Sequence, residues 1–472
     1  MIAPSVQAFA IVFLIFSMRL AFGGDPEVNV HADMQSPGIA GCMTTACHGS
    51  NVPDTKTWQR AGKIWFDTDP HARAYTSLLT ETSAKIVSRL AQKELKPTSP
   101  ISDEYREVLN AKCISCHSNE NVSESQRVLG ADCQVCHGRA DAWGSEHYSS
   151  EWKSLGKNRF DGTDRINLES IAGLAKVCAS CHIGELDRTT GQSSSLDREV
   201  DHRLMAAGHP PMYFEFESYL RRYPVHWDSQ EEPVAQGSNL GMERWRVGKI
   251  TTAMAKLKLL AARAERSTSK SAQAADWPEL TEYSCTSCHH SLSQPSWRLA
   301  SGSNRNTLAN WDDWTVSQLD CAVRDQSMDE LNAQLTRLKK SVEHTMPEPT
   351  QVAMLASSLK EWLDKELDHV SSPSENSDEV MVLKLKSRMA SVDQLQNWES
   401  ATQWYLATRV LSEGIGILGS KAPVSFVKED PFVNAETWLP TASNEFDSPK
   451  SFNPGMLDDY ITDLKRQLQT RP

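Results

Sequence analysis

Long apolar runs are almost missing from this 472-residue chain. Ala8 to Met18 is the one clear apolar stretch, and nothing after it approaches the ~18 uninterrupted apolar residues that a spanning helix needs. Basic residues are absent ahead of that run, and Arg19 follows it. Its length and the small residues of Ala21-Phe22-Gly23 nevertheless fit a cleaved signal peptide over residues 1–23, so export to the periplasm is expected. An uncleaved anchor is the alternative, and it leaves the rest of the chain on the same side of the membrane. Apolar residues are sparse overall, at 39% with a mean hydropathy of −0.48, which is little core material for the two or three domains this length can hold. Positive charge is also in deficit: the formal net charge of −12 argues against nucleic acid or an anionic membrane surface as partner.

What is present is a repeated cysteine pattern. Of 11 cysteines, ten fall in five pairs, and each pair is followed at once by histidine: Cys42-Cys47-His48, Cys113-Cys116-His117, Cys133-Cys136-His137, Cys178-Cys181-His182 and Cys285-Cys288-His289. Four have the C-x-x-C-H spacing of c-type haem attachment, in which both thiols become thioethers and the adjacent imidazole ligates the iron. The first is C-x4-C-H, whose two extra residues must loop out between the thioether bonds. Zinc ribbons also use C-x-x-C pairs, and exported proteins use disulfides. Neither has a reason to set a histidine behind every pair. Five covalently attached haem c groups are therefore expected, and their apolar bulk offsets the thin hydrophobic composition. Cys321 belongs to no pair and reads as a small buried apolar residue.

The motifs divide the chain. A mainly α fold is expected, with a loop-rich multihaem c-type cytochrome domain over residues 24–300 and an all-α helical domain over 301–472. Within the first, Val247, Ile250, Met254, Leu257 and Ala261 recur at helical spacing. The polar stretch from Arg263 to Ala275 then reads as a helix end and an exposed loop. Beyond 300, three stripes mark helices: Leu331, Leu335, Leu338 and Val342; Leu355, Leu359, Trp362, Leu363 and Leu367; Leu395, Trp398, Tyr405, Leu406 and Val410. Leu457, Tyr460, Ile461 and Leu464 make a short fourth, and Ser371 to Glu379 reads as a linker. These stripes are read as core.

The second iron ligand decides what each haem does. A second imidazole saturates the iron for electron transfer, whereas an open position admits substrate. Besides the five motif histidines there are nine: His31, His71, His147, His202, His209, His226, His290, His344 and His369. His71 in Asp69-Pro70-His71, His147 in Gly144-Ser145-Glu146-His147 and His209 in Gly208-His209-Pro210 have a Gly or Pro nearby that lets the backbone approach a haem face. They are the leading candidates, followed by His202. His226 and His290 are undecided, and His31, His344 and His369 read as bystanders.

The stretch Gly130-Ala131-Asp132-Cys133-Gln134-Val135-Cys136-His137-Gly138, followed by Gly144-Ser145-Glu146-His147, resembles the multihaem cytochrome c554-type family. The run from Cys178 through Arg198-Glu199-Val200-Asp201-His202 to Ala207-Gly208-His209-Pro210 and Phe214-Glu215-Phe216 is similar to planctomycete-like members of that family. So are His226-Trp227, Trp277-Pro278-Glu279-Leu280 and Cys288-His289-His290. The resemblance covers about residues 38–298. It implies periplasmic electron transfer through closely packed haems, with His147 and His209, together with His71 and His202, as distal ligands. The C-x4-C-H motif departs from the family pattern, and the C-terminal third lies outside the resemblance.

Two function classes follow. One is a relay of bis-histidine haems between a donor and an acceptor protein. The other is a multihaem oxidoreductase acting on a small nitrogen or sulfur compound at one open haem. No C-x-x-C-K motif is present, so the lysine-ligated haem of pentahaem nitrite reductases has no candidate, and spare histidines suffice for all five irons. The relay is the favoured reading. A docking subunit whose helical C-terminal domain grips a partner is compatible with it.

Overall fold

The computed structural model describes residues 38–414 apart from 121, 141–142, 157–159, 161–164, 187–195, 228–239, 270–275, 289–309, 313, 372–380, 382, 386 and 389–397. The signal peptide over 1–23, His31, His289, His290, Leu395, most of the expected linker and the fourth stripe lie outside the described residues. Among the described residues the fold is mainly helical and contains no strand, with isolated bridges at Glu185–Arg198 and Tyr283–Trp311. No described helix is long and apolar enough to cross a membrane.

Seven longer helices organise the described residues: α1 Glu81–Ala91, α2 Asp103–Lys112, α3 Ile171–His182, α4 Leu240–Ser267, α5 Met328–Val342, α6 Pro349–Val370 and α7 Trp398–Gly414. Their starts are written in the sequence. Thr80, Ser102 and Ser170 accept hydrogen bonds from Ser83, Tyr105 and Gly173 backbone N–H groups at the starts of α1, α2 and α3. Asp103 and Glu104 open α2 and Lys112 closes it, complementing the helix dipole. At α6, Pro349 occupies the first turn, and Glu348 accepts from the backbone N–H groups of Thr350 and Gln351.

The stripe of α4 is buried as expected, but so are Gly248, Thr252 and Leu259 on its opposite face. A helix buried all round lies at the centre of its neighbours. It packs most extensively against α6, and the same core takes in α5, α7 and residues 311–323. Leu331, Leu338, Leu359 and Leu363 are fully buried there, and Cys321 is buried with them. One continuous core thus joins residues on both sides of position 300. At Gly248 a Cβ would meet Phe216 at 2.8 Å, so glycine is what allows the short helix Phe216–Leu220 to lie this close to α4.

The first residues of the Arg263 to Ala275 stretch are more buried than its reading as a helix end and exposed loop, while residues 270–275 lie outside the described residues. Helix α4 continues to Ser267, and Arg263 and Arg266 are buried. Arg263 donates through Nε to Glu199 at 2.7 Å and also pairs with Glu282, while Arg266 grips Asp197 through two nitrogens at 2.7 and 3.0 Å. Lys256 Nζ lies 3.0 Å from Glu282. These pairs carry the helix past the point where composition alone turns polar, and they bind it to the segments around the cysteine motifs.

Candidate haem sites

Each attachment motif is a short turn or helix end. Cys113 to His117 follows α2 directly, Cys133–His137 is a one-turn helix capped by Asp132, and Cys178 to His182 forms the last turn of α3. In the second motif the His117 N–H donates to the Cys113 carbonyl at 3.0 Å. The first motif restores that bond despite its longer spacer, since His48 N–H donates to the Cys42 carbonyl at 3.2 Å. Its extra residues turn outward, closed by Cys47 and Gly49 N–H groups on the Thr44 carbonyl at 2.9 and 3.0 Å. The lengthened motif therefore presents its histidine from a locally equivalent turn.

Four motif histidines each face a histidine from elsewhere in the chain. The ring centroids are 6.2 Å apart for His48 and His147, 6.5 Å for His117 and His209, 6.3 Å for His137 and His226, and 6.0 Å for His182 and His71. An imidazole nitrogen lies about 1.1 Å from its ring centroid and binds a metal at about 2 Å, so one iron between two rings sets the centroids about 6 Å apart. The spacings fit that demand. The ring planes are near parallel in the first pair, at 18°, and near perpendicular for His117–His209 and His71–His182, at 89° and 87°.

The outer nitrogens are held as ligands require. His48 Nδ1 meets the Trp58 carbonyl at 2.8 Å, His117 the Ala74 carbonyl at 3.0 Å, His147 the Gly144 carbonyl at 2.7 Å and His209 the Pro210 carbonyl at 2.8 Å. A carbonyl can only accept, so each Nδ1 carries the proton and each Nε2 keeps its lone pair for a metal. His71 differs, with Nδ1 2.8 Å from the Asp69 carboxylate. Burial pushes His137 down to about 3, with His226 adding to the effect, and pushes His182 and His209 down to about 4. All three imidazoles are thereby neutral and able to ligate.

The motifs also touch one another. The Cys42 thiol hydrogen-bonds with Cys133, and Cys116 with Cys181, while Cys136 lies within electrostatic reach of Cys178 and Cys181. Arg198 stitches the second motif to the fourth, donating to the Ser115 carbonyl and to Ser180 Oγ, both at 3.0 Å. Asp197 beside it accepts from Ser115 Oγ at 2.7 Å. A cavity of about 630 Å³ opens between these motifs, lined by Gln134, Gly138, Val177, Ser180 and Arg198 among others.

The candidates His71, His147 and His209 each stand opposite a motif histidine. His202 begins the short helix His202–Ala207, and its backbone N–H donates to Glu279 Oε1 at 2.9 Å. Glu279 caps the turn Leu280–Glu282 that leads into Cys285. His289 lies outside the described residues, as does the neighbourhood of Cys288 beyond it. Tyr213 brings its hydroxyl to 4.0 Å from the Cys285 sulfur. His226, left undecided by the sequence, stands opposite His137. Its segment Tyr223-Pro224-Val225-His226-Trp227 has no Cys pair to mark it, but a Pro two residues ahead was the same backbone signal that singled out other candidates. His344 is exposed, with Nδ1 3.1 Å from the Met346 carbonyl.

Paired thiols followed by histidines that face other imidazoles are the ligand set of a c-type cytochrome. Residues 42–138 match the family model described as cytochrome c554 and c-prime. The matched segment holds the first three attachment motifs and His71. No curated protein and no solved structure matches the chain.

Proposed function

We propose that the protein is an exported, periplasmic electron relay carrying five haem c groups, all or nearly all with two histidine ligands. Thioether attachment falls to Cys42 and Cys47, Cys113 and Cys116, Cys133 and Cys136, Cys178 and Cys181, and Cys285 and Cys288. The proximal ligands are His48, His117, His137, His182 and His289. The distal ligands are His147, His209, His226 and His71 in that order for the first four, and His202 for the fifth. What supports His202 is the bond from its backbone to Glu279, which ties the start of its helix to the segment leading into Cys285.

The observation that carries the reading is the set of four imidazole pairs at 6.0 to 6.5 Å. Bound haem supplies a one-electron iron couple, and two imidazoles leave that iron no vacant position for substrate. The residues of the chain do the rest. Carbonyl acceptors hold His48, His117, His147 and His209 in place through the redox change, and the proximity of the cysteines orders the sites as first, third, fourth and second. Donor and acceptor are redox proteins of the same compartment.

Electron paramagnetic resonance of the oxidised protein tests this. Low-spin signals for at least four haems and little carbon monoxide binding after reduction are expected. A dominant high-spin signal that responds to nitrite or hydroxylamine would replace the relay with an oxidoreductase.

A further inference from the structure

Asp69 is the exception among the groups that hold the paired imidazoles. Its side chain is completely buried, and its Oδ1 accepts from the His71 backbone N–H at 2.9 Å and meets His71 Nδ1 at 2.8 Å. Pro70 and the helical turn Pro70–Arg73 fix His71 directly over that carboxylate. The carboxylate thus faces the ring nitrogen directly through a hydrogen bond and has no exposed surface of its own. Its field extends to His226 and Cys136 at the neighbouring site. Elsewhere, His48, His117, His147 and His209 are oriented by uncharged carbonyls.

We propose that Asp69 is a positioning residue that sets the reduction potential at the Cys178–Cys181 site, holding it below the potentials of the sites it touches. The inference rests on the reading of His71 as the ligand opposite His182. Reduction adds one electron to the iron and removes one unit of positive charge. A buried anion hydrogen-bonded to the ligand ring gives that ring imidazolate character and favours the oxidised state. Little solvent intervenes to screen it. The consequence is positional, because the fourth motif contacts Cys116 and lies within electrostatic reach of Cys136. Asp69 thus makes the junction of the relay its uphill step, and electrons rest on the sites either side of it.

The test is a spectroelectrochemical titration of the holoprotein, with each low-spin signal followed by electron paramagnetic resonance. Asp69→Asn retains an acceptor oxygen for the turn and removes the charge; Asp69→Ser is a second neutral cap should the first mature poorly. One of the two signals from near-perpendicular ring pairs is expected to shift. Its reduction equilibrium should move at least tenfold toward the reduced form, about 59 mV for one electron, with haem content unchanged. His71→Ala separates the two levels of the argument. If His71→Ala creates one high-spin haem while both Asp69 variants leave every midpoint in place, the tuning role of Asp69 is wrong and the ligand reading stands. If His71→Ala leaves every haem low-spin, the ligand reading fails and the inference falls with it.

Discussion

Replacing Glu282 by glutamine should destabilise the protein by about 3 kcal/mol, because it breaks a buried ionic cluster and leaves its cations in place. Glu282 is almost fully buried between α4 and the segment that leads into Cys285, with Lys256 Nζ at 3.0 Å and the Arg263 guanidinium bonded to its other oxygen. Arg263 keeps Glu199 at 2.7 Å after the substitution, whereas Lys256 loses the carboxylate beside it. One buried cation rather than two is left uncompensated, so the cost belongs at the lower end of the ~3–5 kcal/mol seen when one partner of a buried pair is removed. The backbone bonds of residue 282, from Asp312 N–H at 2.8 Å and to Glu279 at 3.1 Å, do not depend on the side chain.

Acid provides the check on the cause. Burial acts to raise the Glu282 carboxyl, but Lys256 and Arg263 outweigh it and hold the group below its ordinary value. A depressed folded value means the ionised carboxylate stabilises the protein fully above the unfolded value, about 4.3, and that stabilisation is lost as pH falls through the lower folded value. Guanidinium unfolding followed by circular dichroism should give a constant gap between wild type and Glu282→Gln from pH 6 to 8, closing below about pH 4. A gap under about 1 kcal/mol at pH 7, or one that widens on acidification, refutes the ionic account. Replacing Lys256 and Glu282 together by Met and Leu should recover much of the loss, since apolar residues substitute well for buried ion pairs.

Three further outcomes can be measured. His209→Ala removes the ring opposite His117, so one haem should turn high-spin and bind carbon monoxide when reduced, while covalent haem content stays the same; an unchanged low-spin spectrum removes His209 from the ligand set. Intact mass of protein matured in an exporting host, after acid extraction of loose haem, should retain five haems, and four would count against Cys42 and Cys47. Gly248→Val forces a Cβ to within 2.8 Å of Phe216, and overpacking of this kind should cost about 1–3 kcal/mol in the same unfolding assay.

Local chemistry was readable in the sequence, and long-range pairing was not. The Cys pairs and their histidines are contiguous, so five residues suffice to state the chemistry. The helical stripes were equally plain, because Leu331, Leu338, Leu359 and Leu363 repeat at the period of the element that buries them. His226 shows the limit. It faces His137 from 89 positions away, and nothing near it announces the partner. Arg263 shows the opposite error, since a polar stretch reads as exposed until tertiary acids such as Glu199 and Glu282 neutralise it inside the fold. The doubt over the C-x4-C-H motif turned on geometry that spacing cannot express, namely whether the His48 N–H still reaches the Cys42 carbonyl.

The helices beyond residue 300 matter to the relay because they hold the backbone that carries ligands. Trp314 donates through Nε1 to the Phe214 carbonyl at 2.8 Å, and the Phe214 ring stacks on His182 with centroids 5.0 Å apart. Tyr283 donates to the Val342 carbonyl at the end of α5 at 3.0 Å, and Ser284, next to Cys285, donates to Glu399 of α7 at 2.9 Å. The fourth and fifth motifs are thus fastened to the helical core. Electron transfer demands fixed spacing between sites but little motion at any of them. Loops wound around haems alone would fix each site only as well as its own two ligands do. On the proposed relay, anchoring two motifs to α4, α5 and α7 gives the sites a common frame, and that is a physical use for a long helical region in a chain whose Cys-His motifs lie in its first 290 residues.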